Sequence, residues 1–387
     1  MVLVKVLDTT LREGEQDAEV YFEPHAKLEI ARKLNEIGID IIEAGNPFVD
    51  EEIREDVRRI ANAGLNARIA AHSRSLLKDV DAALECGVNF LGIFYCVSDE
   101  RLNGVFKTEL NSAIEQIVRT IRYAREKKPD IMIRYTPEDT VRSNFENVAS
   151  ASIEAVRAGA DIISVADTTG YMIPGIRSMY DFVLSLRERF DKNNLSPMIA
   201  VHCHNDRGLA LSNALDGYRA GAEIIDASVL GLGERAGIVD LATLVSVLSL
   251  DFGEDKYDLK KLRDLYEIVS EYSGVEIPKN HPMVGKDAFT HYAGVHTQAA
   301  LLDPKHYESL HPHLFGRERT IALGRMSGMS SLEYNLELIK KNNIERKIKE
   351  RLLGKIKRAK RGTISINQLG HMVELELIDY ENGKYNN

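Results

Sequence analysis

Two histidines stand two residues apart in the apolar run MIAVHCH, at His202 and His204. Residues i and i+2 of a strand point to the same face, so the two imidazoles converge. With a carboxylate from another strand they would hold a divalent cation and leave positions open for substrate oxygens. That N/O donor set suits Mn, Fe, Co or Zn and tolerates Mg. An HxH pair alone also occurs in ordinary packing. A second signal stands beside it: the first apolar run, VLVKVLD, leads directly into Thr9-Thr10-Leu11-Arg12-Glu13, a guanidinium next to a carboxylate. Cys203, between the histidines, faces the other way and reads as packing.

Those residues need a scaffold that brings the ends of distant strands together. Eight short apolar, β-branched runs recur, ending near Asp8, Gly45, Ser73, Cys96, Thr136, Asp167, His204 and Gly231, with steps of 23 to 40 residues between ends. The stretches between them, such as PHAKLEIARKLNEIG, carry apolar positions at helical spacing and end in Gly. Alternating βαβα with eight strands predicts an α/β fold, a closed (β/α)8 TIM barrel; a doubly wound open sheet is the rival. In a barrel, polar groups at strand C-termini face the mouth where ligands bind. His72-Ser73-Arg74 ends the third run, Arg134, Thr136 and Glu138 lie on the fifth, and Asp167-Thr168 ends the sixth. The loop Gly231-Leu-Gly-Glu-Arg-Ala-Gly237 reads as a phosphate cradle or, more simply, as a tight βα turn.

Barrel periodicity stops near residue 272. Residues 1–272 are expected to form the catalytic barrel, 273–319, dense in His and Pro, a loop-rich subdomain, and 320–387 a helical one. Lys340 to Arg361 holds eleven basic residues against Glu345 and Glu350. This reads first as the solvated face of a surface helix and second as a phosphate-contacting patch. The whole chain of 387 residues has a formal charge of −9, which argues against a nucleic-acid or bilayer partner. Three cysteines without a CxxC pair fit a reducing compartment, and no long uninterrupted apolar run stands out, so a cytoplasmic, soluble protein is expected.

The motifs DTTLREGEQ, IEAGNP, AHSRS, RYTPEDTVRS, ADTTG, HCHNDRGLA, GLGERAGI and FTHYAGVH, in this order, resemble the acyl-CoA-condensing metallo-barrel enzymes, the group of homocitrate, 2-isopropylmalate and citramalate synthases. The resemblance covers residues 4 to about 315. It implies a Claisen condensation of acetyl-CoA with a 2-oxo acid, then thioester hydrolysis. LREGEQ in place of LRDGEQ, and GERAGI in place of GERAGN, lean toward the homocitrate branch and the α-aminoadipate route to lysine. IEAGNP is nearer the isopropylmalate branch, and 2-isopropylmalate synthase and Re-type citrate or citramalate synthase are the alternatives. A 3-hydroxy-3-methylglutaryl-CoA lyase would also use HxH, but that family carries a cysteine-containing GCP loop where this chain reads LGLGERAGI.

Carried over by position, the resemblance makes Glu13, His202 and His204 the ligands of a divalent metal (Mg, Mn, Zn or Co), with Arg12 beside the reacting carbonyl. It assigns Arg134 and Thr168 to the C1 carboxylate of the 2-oxo acid, and His72 and Thr136 to the distal carboxylate of 2-oxoglutarate. His296, Tyr307 and Glu138 become the base and its partners, with the C-terminal residues reaching the other subunit of a homodimer. Burying a carboxylate against apolar walls is costly, so the polarity of His72, Ser73, Arg74 and Thr136 favours 2-oxoglutarate.

Overall fold

The computed structural model describes residues 4–358 and 362–383. Val2 and Leu3 of the first apolar run, and Ala359, Lys360 and Arg361 of the basic segment, lie outside the described residues. Eight strands, β1 (Lys5–Asp8), β2 (Ile41–Glu43), β3 (Arg68–Arg74), β4 (Phe90–Cys96), β5 (Met132–Glu138), β6 (Ile162–Asp167), β7 (Met198–Cys203) and β8 (Ile224–Ala227), pair in parallel in chain order. β8 pairs back onto β1, closing the barrel rather than leaving an open sheet. The helices are α1 (Pro24–Ile37), α2 (Glu51–Ala61), α3 (Leu77–Glu85), the single turn α4 (Asp99–Arg101), α5 (Leu110–Lys127), α6 (Phe145–Ala158), α7 (Met179–Lys192), α8 (Ala210–Arg219), α9 (Leu241–Asp251) and α10 (Leu262–Ser273).

Local sequence explains the helix ends. Pro24 opens α1, where its missing N–H costs nothing, and Gly38 closes it in the left-handed region at φ 98°. Asn144 caps α6 through the Glu146 N–H, and Gly159 ends it. β8 stops at Ala227, short of the expected end near Gly231, because Ser228 leads into a turn with Leu230 at φ 59°. Inside the barrel Leu7, Ile41, Ala70, Phe90, Ile162, Ala200 and Ile224 form one dry layer. That layer closes the interior, so a polar site has room only above it, toward the strand C-termini.

Contacts divide the chain into two compact units, one ending at Ile277 and the other starting at Pro278. The second contains β9 (Thr290–His291), α11 (Gly294–Leu302), β10 (Thr320–Ile321), α12 (Met329–Leu338), α13 (Arg346–Arg358) and α14 (Ile366–Glu381). β9 and β10 pair in parallel, which joins the loop-rich segment before residue 320 to the helical one after it. The apolar faces of α12, α13 and α14 meet around Leu332, Leu352 and Leu369. On α13, Arg351 and Lys355 reach the fully buried Glu376 of α14, so part of the basic segment neutralises a carboxylate inside its own unit. Among the described residues no helix is long and apolar enough to cross a membrane.

Candidate active site

The strand C-termini of the barrel surround a cavity of about 440 Å³ whose walls include Arg12, Glu13, His72, His202 and His204. β1 runs into a curled segment in which the Glu13 N–H donates to the Thr9 carbonyl at 2.7 Å. Glu15, two residues on, ties the segment to the helical layer: Lys27 of α1 donates to it at 2.8 Å and lies 3.4 Å from Asp56 of α2. The Lys27 side chain is buried, so this link fixes the segment that carries Arg12 and Glu13.

His202 on β7 and His204, one residue past its end, share the inward face, with their Nε2 atoms 3.3 Å apart. Each ring is held from behind. Asp226 of β8 faces His202 Nδ1 at 3.0 Å, and the Gly237 carbonyl faces His204 Nδ1 at 3.1 Å. A hydrogen bond at Nδ1 fixes the tautomer and leaves the Nε2 lone pair for a cation. Glu13 completes a group whose ligand atoms all lie within 4.8 Å of one another. Burial raises the Glu13 pKa, but Arg12 and the two histidines outweigh it and hold the carboxylate down at about 2. Burial, reinforced by His202, pushes His204 down to about 4, so its imidazole is neutral at neutral pH. An ionised carboxylate and two oriented imidazoles fit a divalent cation.

The loop expected to be a tight turn serves this same geometry. Gly237 sits at φ 71°, and a Cβ there would lie 1.7 Å from the Gly231 carbonyl oxygen; only glycine lets the strand of backbone that supports His204 pass so close. Arg235 of this loop is clamped by Asp206 at 2.9 Å and donates to the Thr168 carbonyl at 2.7 Å.

Two carboxylates that the spacing of motifs did not single out organise the cavity. Glu43, at the end of β2, accepts from Thr9 Oγ1 and Arg12 Nε, both at 2.7 Å, faces His72 Nδ1 at 3.2 Å and lies 3.5 Å from Arg134 Nη2. Burial opposes its charge, yet Arg12, His72 and Arg134 keep it well below the ordinary carboxylate range. Asp226 accepts from Arg134 Nη1 at 2.9 Å while it orients His202. The sequence did carry a signal: each is an acid on an otherwise apolar strand, IIE on β2 and IID on β8.

The remaining candidates divide. His72 stacks on Phe94, ring centroids 4.7 Å apart. Thr168 accepts from the Asp139 N–H at 2.9 Å, leaving its hydroxyl proton to donate. Thr136 and Arg134 line the cavity as well. Glu138 also lines it, but its carboxylate is engaged by Arg101 of α4 at 3.0 Å, a partner the sequence did not suggest. Arg74 turns away to Asp79 at 2.8 Å and Phe48, and Ser73 does not line the cavity, so the polarity expected from AHSRS reduces to His72. His296 and Tyr307 belong to the second unit, where their rings stack at 4.2 Å.

The HMGL-like family model matches residues 3–269, and a homocitrate synthase post-HMGL domain-like model matches residues 283–361. A homocitrate synthase of Pyrococcus horikoshii is 44% identical over 340 residues, 88% of this chain and 91% of that one. One from Pyrococcus abyssi is 46% identical over 332 residues, 86% and 89% of the two chains. Among solved structures, an HMG-CoA lyase from Brucella melitensis superimposes with a TM-score of 0.58 at 22% identity, covering 71% of this chain and 100% of that one, a likeness of fold.

Proposed function

The chain belongs to the homocitrate synthases within the HMGL-like family, and on that premise we propose that it joins the methyl carbon of acetyl-CoA to the keto carbon of 2-oxoglutarate and hydrolyses the thioester, releasing homocitrate and CoA. It is an acyltransferase that turns the acyl group into an alkyl group on transfer. The observation that carries the site assignment is the convergence of Glu13, His202 and His204 beside Arg12 in one cavity.

Those three side chains would hold the divalent cation, Mg, Mn, Zn or Co, which when bound supplies Lewis-acid polarisation of a chelated carbonyl. Arg12 is fixed by Glu43, so its guanidinium is already placed to offset negative charge developing on the keto oxygen. Thr168, with its proton free, and Arg134 take the C1 carboxylate; His72 and Thr136 take the distal one. Glu43 faces His72 Nδ1, so in the neutral ring Nε2 is an acceptor, and His72 can donate to a carboxylate there only as imidazolium. Burial lowers its pKa, and an arriving carboxylate raises it again, so His72 binds the diacid together with a proton. His296 removes the proton from the acetyl methyl, with Tyr307 and Glu138 as its partners, across the subunit boundary of a cytoplasmic homodimer. The product enters the α-aminoadipate route to lysine.

CoA release from acetyl-CoA, measured with 2-oxoglutarate, oxaloacetate, 2-oxoisovalerate, pyruvate and glyoxylate, tests the reading. It requires the largest kcat/KM for 2-oxoglutarate, loss of activity with EDTA and recovery with Mn or Mg. Preference for 2-oxoisovalerate would transfer the chain to the isopropylmalate reaction.

A further inference from the structure

Along β6, Ile162, Ser164 and Ala166 alternate onto the inner face. Ile162 belongs to the dry layer that closes the barrel interior. Ala166 pairs with His202 and so stands level with the proposed metal ligands. Ser164 lies between these levels, fully buried, on the cavity wall, and its hydroxyl has no hydrogen-bond partner. Its neighbour across β7 is Ala200, one of the dry layer's small apolar residues. A buried hydroxyl costs stability unless it is paired, and an aliphatic side chain at this place would carry no such cost.

Ser164 is not alone in this. Arg134 pairs with Ile162 and Tyr135 with Ile163 across β5 and β6, and Thr136 and Ser164 are the next residues along the two strands. The Thr136 Oγ1 and the Arg134 Nε are likewise buried, without partners, and on residues of the same wall. By contrast Arg12, Glu13, His72, Glu138, His202 and His204 all have protein partners. Three buried groups of this wall, Ser164 Oγ, Thr136 Oγ1 and Arg134 Nε, are therefore left without a protein partner, and each can donate a hydrogen bond.

We infer that Ser164 is a further specificity-determining residue, donating its hydroxyl, with Thr136, to the terminal carboxylate of a five-carbon 2-oxo diacid; this rests on the reading of 2-oxoglutarate as substrate. A carboxylate only accepts hydrogen bonds, so it satisfies both hydroxyls at once. A branched aliphatic 2-oxo acid would press methyl groups against them and leave both unpaired. The depth of Ser164, below the level of the metal ligands, also makes it a measure of chain length: a diacid one methylene shorter engages it less.

The test uses the full-length enzyme with Ser164→Ala and with Ser164→Cys, which is slightly larger than serine and offers a weak S–H donor. CoA release is measured with 2-oxoglutarate, oxaloacetate and 2-oxoisovalerate, and thermal melting monitors folding. For Ser164→Ala we expect kcat/KM for 2-oxoglutarate to fall about ten- to a hundredfold, chiefly through KM, as the loss of a hydrogen bond to a charged group dictates. Oxaloacetate should lose less, 2-oxoisovalerate should lose nothing, and Ser164→Cys should fall between. A 2-oxoglutarate to 2-oxoisovalerate ratio unchanged within twofold, in a normally folded Ser164→Ala protein, overturns the inference and leaves the substrate reading intact. An unaltered enzyme that prefers 2-oxoisovalerate overturns the substrate reading, and the role of Ser164 falls with it.

Discussion

Both compact units carry a pair of histidines beside a carboxylate, and they treat them differently. At the barrel mouth each ring is pinned through Nδ1, His202 by Asp226 and His204 by the Gly237 carbonyl, while both Nε2 atoms face inward. In the C-terminal unit the carboxylate goes to His291, whose Nε2 meets Glu308 at 2.9 Å, with Arg319 on the same carboxylate. His296 is exposed, and its contact within the unit is the stacked ring of Tyr307. The difference separates preorganised groups from an uncommitted one. Fixed tautomers and buried counter-charges suit ligands that must hold a cation before substrate arrives. An exposed imidazole beside one stacked ring suits a group that completes its surroundings elsewhere, and the half-buried contact with Glu308 marks His291 as a structural latch.

The largest effect should come from breaking the pinned set itself. Glu13→Gln and His204→Ala each remove one of three proposed protein ligands, so turnover should disappear and bound metal should drop. Elemental analysis of purified proteins checks this, and metal content equal to that of the unaltered enzyme would sink the assignment. One step outward, Asp226→Asn keeps the shape but weakens the hold on His202 and on Arg134. Loss of such an outer partner lowers metal affinity or activity by roughly 10- to 100-fold, which a competition titration with a chelating dye would resolve.

Asp226 and Glu43 also show where sequence reasoning stops. The (β/α)8 order was legible because each strand and helix is encoded locally, in runs of a few residues and their caps. His202 and His204 were legible because a strand's period of two places them together. The contacts of Glu43 reach Arg12, His72 and Arg134, three residues that are 29 to 91 positions from it in sequence. No local spacing encodes such a meeting; it follows from the barrel's closure and stagger. The same limit hid Arg101, which reaches Glu138 from α4, and gave Arg74 to the cavity when Asp79 takes it.

Charge pairing within the barrel gives a third test. Glu13 and Glu43 face arginines and stay ionised, whereas Asp8 at the end of β1 has, among the described residues, the N–H and hydroxyl of Thr10 and no cationic partner. Burial, above all, pushes its pKa up to about 7. The folded protein then keeps a proton on Asp8 that the unfolded chain has released above about pH 4, so stability falls as pH rises between those values. The loss should be on the order of 4 kcal/mol and complete above pH 7. Asp8→Asn, neutral at every pH, should remove that slope from urea denaturation curves recorded between pH 4 and 8. Parallel curves for the two proteins would show that Asp8 is ionised in the fold.

The smallest expected effect, a factor of about four, probes the uncommitted histidine. If His296 serves the site of a partner subunit, Glu13→Ala and His296→Ala homodimers are each inactive, but a mixed dimer contains one site with both residues intact. Random reassortment of equal amounts makes about half of all dimers mixed, and each has one competent site of two, so activity should return to roughly a quarter of the unaltered enzyme's. If His296 instead serves its own chain, every site in a mixed dimer lacks one of the two residues and nothing returns. The experiment corefolds the denatured variants, verifies mixed dimers by differential tags and measures CoA release. Activity near a quarter makes the exposure of His296 within its own unit a consequence of sharing. Silence in verified mixed dimers places the base in the same chain as Glu13, and the metal ligands, tested separately, keep their assignment.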